Sequence, residues 1–289
     1  MKKIGVLAVV MAMAFLFVGV AQAEMYLEGY IGGAMASSIG QTVNVHDAGA
    51  GTAQATAPAG KAGLNGLSNY HLNYGGAVDP TVIGGVKLGT WFVKEGVAGW
   101  SGYPDWCKYL GFYTDFSYHR FYTRDNRISG TDIFAAAGGG SGLGTIAGYM
   151  KTEGMVATWA FMLAARYGFF ADSEVPFGRL QPYVAAGPAI MFSSMKPKIF
   201  TSGTIAGANS DLVTSPGNQS STDIALAVDA GVRYMCLKNV SVDISFKYRY
   251  AQPSYSFSGQ DGSLGVPAHF SMSPPLNLYS VQAGVAYHF

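Results

Sequence analysis

From Tyr279 to Phe289 the chain alternates without a break. Tyr279, Val281, Ala283, Val285, Tyr287 and Phe289 are apolar or aromatic, and Ser280, Gln282, Gly284, Ala286 and His288 between them are small or polar. A period of two sends successive side chains to opposite faces of an extended strand, so one face of this segment is greasy and the other is not. An alternating strand at the end of a chain suits a sheet that curls round and pairs its last strand with its first. The plainer reading is a half-buried strand of a soluble β-protein. Recurrence of the pattern upstream, and the destination of the chain, decide between them.

Destination is written at the other end. Lys2 and Lys3 precede an uncharged apolar run from Ile4 to Val20, followed by Ala21-Gln22-Ala23 and Glu24. A charged start, an apolar middle and a small-x-small site predict a Sec signal peptide cut after Ala23, leaving 24–289 as the mature domain. Without Lys2 and Lys3 the formal charge moves from +1 to −1, which implies no nucleic-acid partner. Asp, Glu, Lys and Arg make up 12% of the chain, against about 25% in soluble domains. The longest apolar stretch after the signal, Val156 to Ala165, is half the ~20 residues of a spanning helix. An exported, charge-poor chain of this kind can cross lipid as a closed β-barrel.

The alternation recurs seven more times, over about 25–37, 81–93, 108–122, 154–167, 179–193, 222–236 and 240–251. The segment 240–251 is the cleanest, with Val240, Val242, Ile244, Phe246, Tyr248 and Tyr250 set against Ser241, Asp243, Ser245, Lys247 and Arg249. In 179–193, Pro182 and Pro188 intrude, and Pro188 predicts a bulge or a local break, because a closed barrel has no free edge for proline. Each segment meets the roughly 9–11 residues of a tilted bilayer crossing, and eight is an even count. The expected fold is therefore all-β: an eight-stranded antiparallel up-and-down transmembrane barrel. Leu237-Lys238-Asn239 reads as a tight inner turn, and 94–107 and 168–178 as longer inner connections. Four long outer loops, about 38–80, 123–153, 194–221 and 252–275, are rich in Gly, Ser, Ala and Thr and read as mobile solvated segments. Phe92, Tyr167, Tyr234, Tyr287 and Phe289 fall at inner strand ends, and Tyr118, Phe192 and Tyr250 at outer ends, as two interfacial belts would require.

Three segments carry a resemblance: Tyr109-Leu-Gly-Phe-Tyr-Thr-Asp-Phe-Ser-Tyr-His119, Leu180-Gln-Pro-Tyr-Val-Ala-Ala-Gly187 and the terminal Tyr287-His-Phe289. Together they resemble the OmpA/OmpX-type family of eight-stranded outer-membrane barrels, over about 25–289. The resemblance implies a cell outer membrane location in a Gram-negative bacterium, with outer-membrane lipid and lipopolysaccharide as surroundings. It implies that the barrel-assembly machinery reads the terminal strand, here Val281, Val285, Tyr287 and Phe289. It does not imply peptidoglycan anchoring, since the barrel pattern runs to Phe289.

Chemistry is sparse. The inner parity holds Glu28, Asp115, Asp223, Asp229 and Asp243 with Lys87, Arg166, Arg179, Arg233, Lys247 and Arg249. An eight-stranded lumen is just wide enough for side chains, and buried charges must pair, so these eleven residues predict an ion-pair network that plugs the interior. The functional alternative is a narrow ion path gated by exchange of partners. Inner-face Gly32, Gly85, Gly89, Gly111, Gly231 and Gly284 would make room for the long charged chains. Asp115-x-Ser117-x-His119 suggests a membrane-embedded hydrolase, but same-face neighbours on one strand stand about 6.5–7 Å apart, beyond hydrogen-bond reach. No catalytic residue is therefore assigned, and no cofactor or metal is expected; His46, His71 and His269 read as isolated loop histidines. Arg120, Arg124 and Arg127, with Lys151, gather at the base of the second outer loop and are candidate contacts for lipopolysaccharide phosphates, or simply a solvated rim. Cys107 and Cys236 fall at inner turns of non-adjacent strands and are not expected to meet. The expected role is structural and surface-interacting rather than enzymatic, with an unknown extracellular ligand met by the loops.

Overall fold

The computed structural model describes residues 24–36, 39–47, 70–76, 78–92, 105–135, 141–205, 208–214, 217–260 and 267–289. The expected signal segment lies outside them. In chain order the strands are β1 (Glu24–Ala36), β2 (Ile39–Asp47), β3 (Tyr70–Gly76), β4 (Thr81–Trp91), β5 (Leu110–Ala135), β6 (Ser141–Arg166) and β7 (Leu180–Ile205). They continue with β8 (Ala208–Thr214), β9 (Gln219–Leu237), β10 (Val240–Ala251), β11 (Tyr255–Gln260), β12 (Pro267–Met272) and β13 (Leu276–His288).

Eight of these form the wall, in the ring order β1-β4-β5-β6-β7-β9-β10-β13, every neighbour antiparallel. The ring closes where β13 pairs with β1, from Tyr26 opposite His288 to Ala36 opposite Leu278. The stagger of the ring can be followed residue by residue. Glu24 lies opposite Trp91, then come Gly111, Ala164, Ala185, Asp229, Lys247 and Ser280, and the path returns to β1 at Ala34. A return displaced by ten residues, from 24 to 34, over eight strands tilts them by about 40° at ordinary strand spacings.

The apolar parity faces out. Leu27, Ile31, Val86, Phe116, Leu163, Val184, Ile224, Ile244, Val281 and Val285 are all exposed, Ile224 to 85%. The other parity faces in and is buried, charges included. This inverts the arrangement of a soluble barrel and is the one a wall in lipid requires. Inner-end aromatics lie side by side, Tyr109 stacked on Tyr167 at 5.6 Å and Tyr287 edge-on to Phe289 at 5.2 Å, as an interfacial belt would.

Of three expectations, the first is met in part, as a local break without a bulge, and the other two are corrected. First, β7 runs through Pro182 and Pro188 with no shift of register against either neighbour. Only the ladder toward β6 is interrupted, opposite Phe161 and Met162, where proline supplies no N–H. Gly187 meets the Phe161 carbonyl so closely there that no Cβ would fit. The register shifts against neighbours fall elsewhere, between Thr123 and Asn126 and between Val240 and Ser241. Second, β5 begins at Leu110 because Asp105–Tyr109 forms a 3-10 turn.

Third, the segments read as mobile outer loops are largely strand among the described residues. β5, β6 and β7 each run 26 residues, well beyond a bilayer crossing. The first and fourth loops knit together in the order β11-β12-β2-β3-β5. Backbone pairing needs no particular side chain, so Gly- and Ser-rich sequence carries a ladder that its composition conceals. The Gly138–Gly140 run lies outside the described residues.

Candidate functional site

The lumen is crossed by three layers of polar side chains. At the end bearing the last residue, Arg166 on β6 forks onto Glu24 of β1, with Nη2 to Oε2 at 2.6 Å and Nη1 to Oε1 at 3.2 Å. Its guanidinium lies 4.1 Å from the Trp91 ring centroid and 4.1 Å from that of Phe177, and Nη1 also donates to Gln181 at 2.9 Å. A planar guanidinium held edgewise by a carboxylate and facewise by rings is a geometry lysine cannot reproduce.

Above it, Lys87 of β4 stands among three carboxylates: Glu28 at 3.0 Å, Asp229 at 3.4 Å and Asp243 at 3.7 Å. Arg233 shares two of them, at 2.5 Å from Glu28 and 3.7 Å from Asp243, and lies 4.2 Å over the Tyr26 ring. Tyrosine hydroxyls complete the layer, Tyr113 donating to Asp229 at 2.8 Å and Tyr183 to Asp243 at 3.0 Å.

In the third layer Lys247 pairs with Asp115, and Tyr30 donates to the same carboxylate at 2.6 Å. Arg249 follows on β10, donating to Ser117 at 2.8 Å, Ser280 at 3.3 Å and Thr158 at 3.5 Å. Among the described residues no carboxylate lies within 4.0 Å of this guanidinium. The four buried carboxylates of these two layers face four buried cations, Lys87, Arg233, Lys247 and Arg249. Beyond Arg249 the interior is mixed: Val156, Met191, Met195, Leu278, Tyr255 and Phe257 are buried together, with His119, Thr152 and Ser193 also buried.

The inner-face glycines serve rings more than charges. A Cβ on Gly89 would meet the Tyr26 ring at 2.5 Å, and one on Gly85 would strike Tyr30. These are the rings whose faces and hydroxyls organise the cations.

Two of the eleven expected lumen residues stand elsewhere. Arg179 precedes β7, outside the barrel, and pairs with Asp172 and, at 2.8 Å, with Glu174 of the 168–178 turn. Asp172 also accepts from the amides of Glu174 at 3.0 Å and Val175 at 2.8 Å. The Val175 amide first, and then Arg179, hold its carboxyl below the usual value. Asp223 sits toward the outer end of β9, accepting from Ser221 at 2.6 Å, with no cation within 4.0 Å among the described residues. Strand parity gives the face of a residue but not how far along the barrel it sits, and both lie beyond the polar layers.

Within Asp115-x-Ser117-x-His119 the partners diverge. Asp115 is held by Lys247 and Tyr30, Ser117 by Arg249, and His119 Nδ1 has no hydrogen-bond partner. The three form no relay. Cys107 and Cys236 carry free thiols. The loop histidines are not isolated in the backbone: His269 lies opposite His46, and His71 opposite Asn44, along the β12-β2-β3 ladder.

On the outside, Arg120 is exposed on β5 between Tyr118 and Tyr122, whose hydroxyls it contacts. Arg124 and Arg127 lie on the same strand, their side chains outside the described residues. Val281, Val285, Tyr287 and Phe289 all face outward, with Phe289 71% exposed. Its amide donates to the Met25 carbonyl at 2.9 Å, tying the last residue to β1.

No protein-family model and no curated protein matches the chain. Among solved structures it is similar to Neisserial surface protein A, at 14% identity over 92% of this chain and 97% of that one, with a TM-score of 0.35. It is also similar to the outer membrane protein OprG from Pseudomonas aeruginosa, at 13% identity over 92% and 96%, TM-score 0.37. A major outer membrane protein from Thermus thermophilus matches at 14% identity over 93% and 100%, TM-score 0.40. The barrel itself stands on the closed register of the chain's own strands.

Proposed function

We propose that this protein is an integral outer-membrane barrel with a closed lumen, a structural and surface-interacting protein rather than an enzyme or a pore. The observation that carries the reading is the filled cross-section. Glu28, Lys87, Asp115, Asp229, Arg233, Asp243, Lys247 and Arg249 are each no more than 2% exposed, and they interlock across an eight-stranded ring. An apolar exterior over a charged interior fits the wall to lipid, and the expected signal segment fits export through the Sec pathway. The rigid ring then serves as a mount. The knitted sheet of β11, β12, β2 and β3 is the surface presented to an extracellular ligand. The outward Val281, Val285, Tyr287 and Phe289 are the face offered to the barrel-assembly machinery.

A narrow channel is the second reading, favoured by one observation: Lys87 has three carboxylates within 3.7 Å, so exchange of partners would need only small movements. Planar-bilayer recording separates the two. The closed-lumen reading expects no steady single-channel conductance from the wild-type protein. Steady conductance altered by Lys247→Ala or Asp229→Ala would overturn it in favour of the channel.

A further inference from the structure

Exterior charge is distributed unevenly around the barrel. Past the outer aromatic positions Tyr118, Trp159 and Phe192, the described outward-facing cations are Arg120 on β5, Lys151 on β6, and Lys196 and Lys198 on β7. The outward positions at the same end of β9, β10 and β13 are Thr222, Ser220, Gln252 and Asn277, all uncharged. The other described cations outside the lumen, Lys108, Arg179 and Lys238, sit at the opposite end.

The register makes these four cations one patch. Arg120 lies opposite Met155 and Tyr122 opposite Glu153. Glu153 lies opposite Lys196, and Lys151 opposite Lys198. Among the described residues, the carboxylate that these four cations surround is Glu153, which sits 3.8 Å from Lys198 in an exposed pair of the kind that contributes little. The patch spans two inter-strand spacings, about 10 Å, the width of one lipid headgroup. Rings frame it: Tyr149 stacks on Phe200 at 4.6 Å, the Lys151 ammonium lies 5.8 Å over the Tyr149 ring, and Arg120 is flanked by Tyr118 and Tyr122.

We propose that the outer ends of β5, β6 and β7 form a binding site for the phosphate groups of an outer-leaflet glycolipid. The proposal rests on the outer-membrane reading above. Its position fits one source of phosphate. The cations begin where the lipid-facing apolar surface ends, at the depth of headgroups, and the apolar wall below them, Met155, Phe116 and Leu163, would meet the same lipid's acyl chains. Arginine supplies the forked contact a phosphate prefers, and the lysines supply charge that can adjust to it. Bound on one side only, such a lipid would orient the barrel among its neighbours and brace the long β5–β6–β7 projection.

The purified protein, reconstituted into phosphatidylethanolamine–phosphatidylglycerol vesicles, is titrated with bisphosphorylated lipid A, with the same lipid stripped of phosphate, and with inorganic phosphate. Bisphosphorylated lipid A should bind and raise the thermal unfolding midpoint, and the other two should not. The Arg120→Gln/Lys196→Gln variant should bind it at least about tenfold more weakly, as loss of charge-assisted contacts implies, whereas Lys238→Gln, at the opposite end, should bind as wild type. Equal response to the stripped lipid or to inorganic phosphate, or unchanged affinity in the double variant, would overturn the site. Wild-type protein that inserts but fails to discriminate would overturn this proposal alone. Failure to insert into any vesicle would overturn the outer-membrane reading with it.

Discussion

Lys247 on β10 and Asp115 on β5 form an ion pair straight across the barrel, between strands four places apart in a ring of eight. No other placement in the wall separates two strands further. Arg249 repeats the crossing two residues along, reaching Ser117 on β5. These ties join parts of the ring that share no backbone ladder, so they brace its cross-section against flattening. Breaking one end should cost more than removing both. Lys247→Ala leaves a buried carboxylate with only Tyr30 as a close donor, and such orphaned charges cost about 3–5 kcal/mol. The Lys247→Met/Asp115→Leu double variant should recover most of that loss in urea unfolding of the reconstituted protein. Equal destabilisation by the single and double variants would mean the tie braces nothing.

The packing of Tyr26 against Gly89 supports a second prediction. Gly89→Ala would set a methyl group 2.5 Å from the ring that carries Arg233 on its face. Strand backbone on both sides limits relief, so overpacking should cost about 1–3 kcal/mol. Shortening the ring relieves the clash but gives up its contact with Arg233, so Tyr26→Leu should also destabilise. In the Gly89→Ala/Tyr26→Leu pair the two losses should add to clearly less than their sum. A double-mutant cycle on unfolding midpoints measures that coupling, and simple additivity would rule out the contact as its cause.

Much of this was legible from the sequence, for a physical reason. A period of two is a property of the strand itself, so alternation assigned the two faces of β10 and β13 before any pairing was known. Burial then made the inner charges a network. Distance along the barrel axis was not legible, because parity carries no axial coordinate; Arg179 and Asp223 were misplaced for that reason. The tyrosine hydroxyls of the lumen were visible as inner-face residues, but nothing local tied Tyr113 to Asp229 or Tyr183 to Asp243. A signal was available in Gly85 and Gly89, since glycine on an inner face beside large neighbours marks rings pressed against backbone. The extended outer strands were hidden by Gly- and Ser-rich composition, which is silent about a ladder made by backbone groups.

The 168–178 turn gives a pH prediction. Asp172 binds two amides and Arg179 in its charged form, which lowers its pKa relative to the unfolded chain. A lowered carboxyl contributes stability that is fully present above its unfolded value, about 3.9, and is lost as pH falls through the lower folded value. Hydrogen exchange at the Glu174 and Val175 amides should therefore be equally protected, after correction for intrinsic rate, from pH 7 to pH 5. Protection should fall only in stronger acid. Asp172→Asn should expose both amides at every pH while leaving the β10 amides unchanged. Protection lost between pH 7 and pH 5 would assign the turn to another group.

Phe289 closes the ring without anchoring it by burial. Its amide is fixed to Met25, but its ring is 71% exposed at the inner boundary, touching Tyr287. Truncating an interfacial ring should cost the folded barrel only about 1 kcal/mol, because part of the side chain already meets water. The proposed reading of β13 by the assembly machinery adds a second consequence. Phe289→Ala should lower the amount of barrel assembled in cells several-fold while the purified variant unfolds close to wild type. Ile31→Ala on β1 removes a comparable outward side chain, 63% exposed, from a strand outside the terminal motif. It should cost similar stability and leave assembly intact. If both variants lose assembly in proportion to stability, then β13 closes the barrel as any strand would and carries no separate signal.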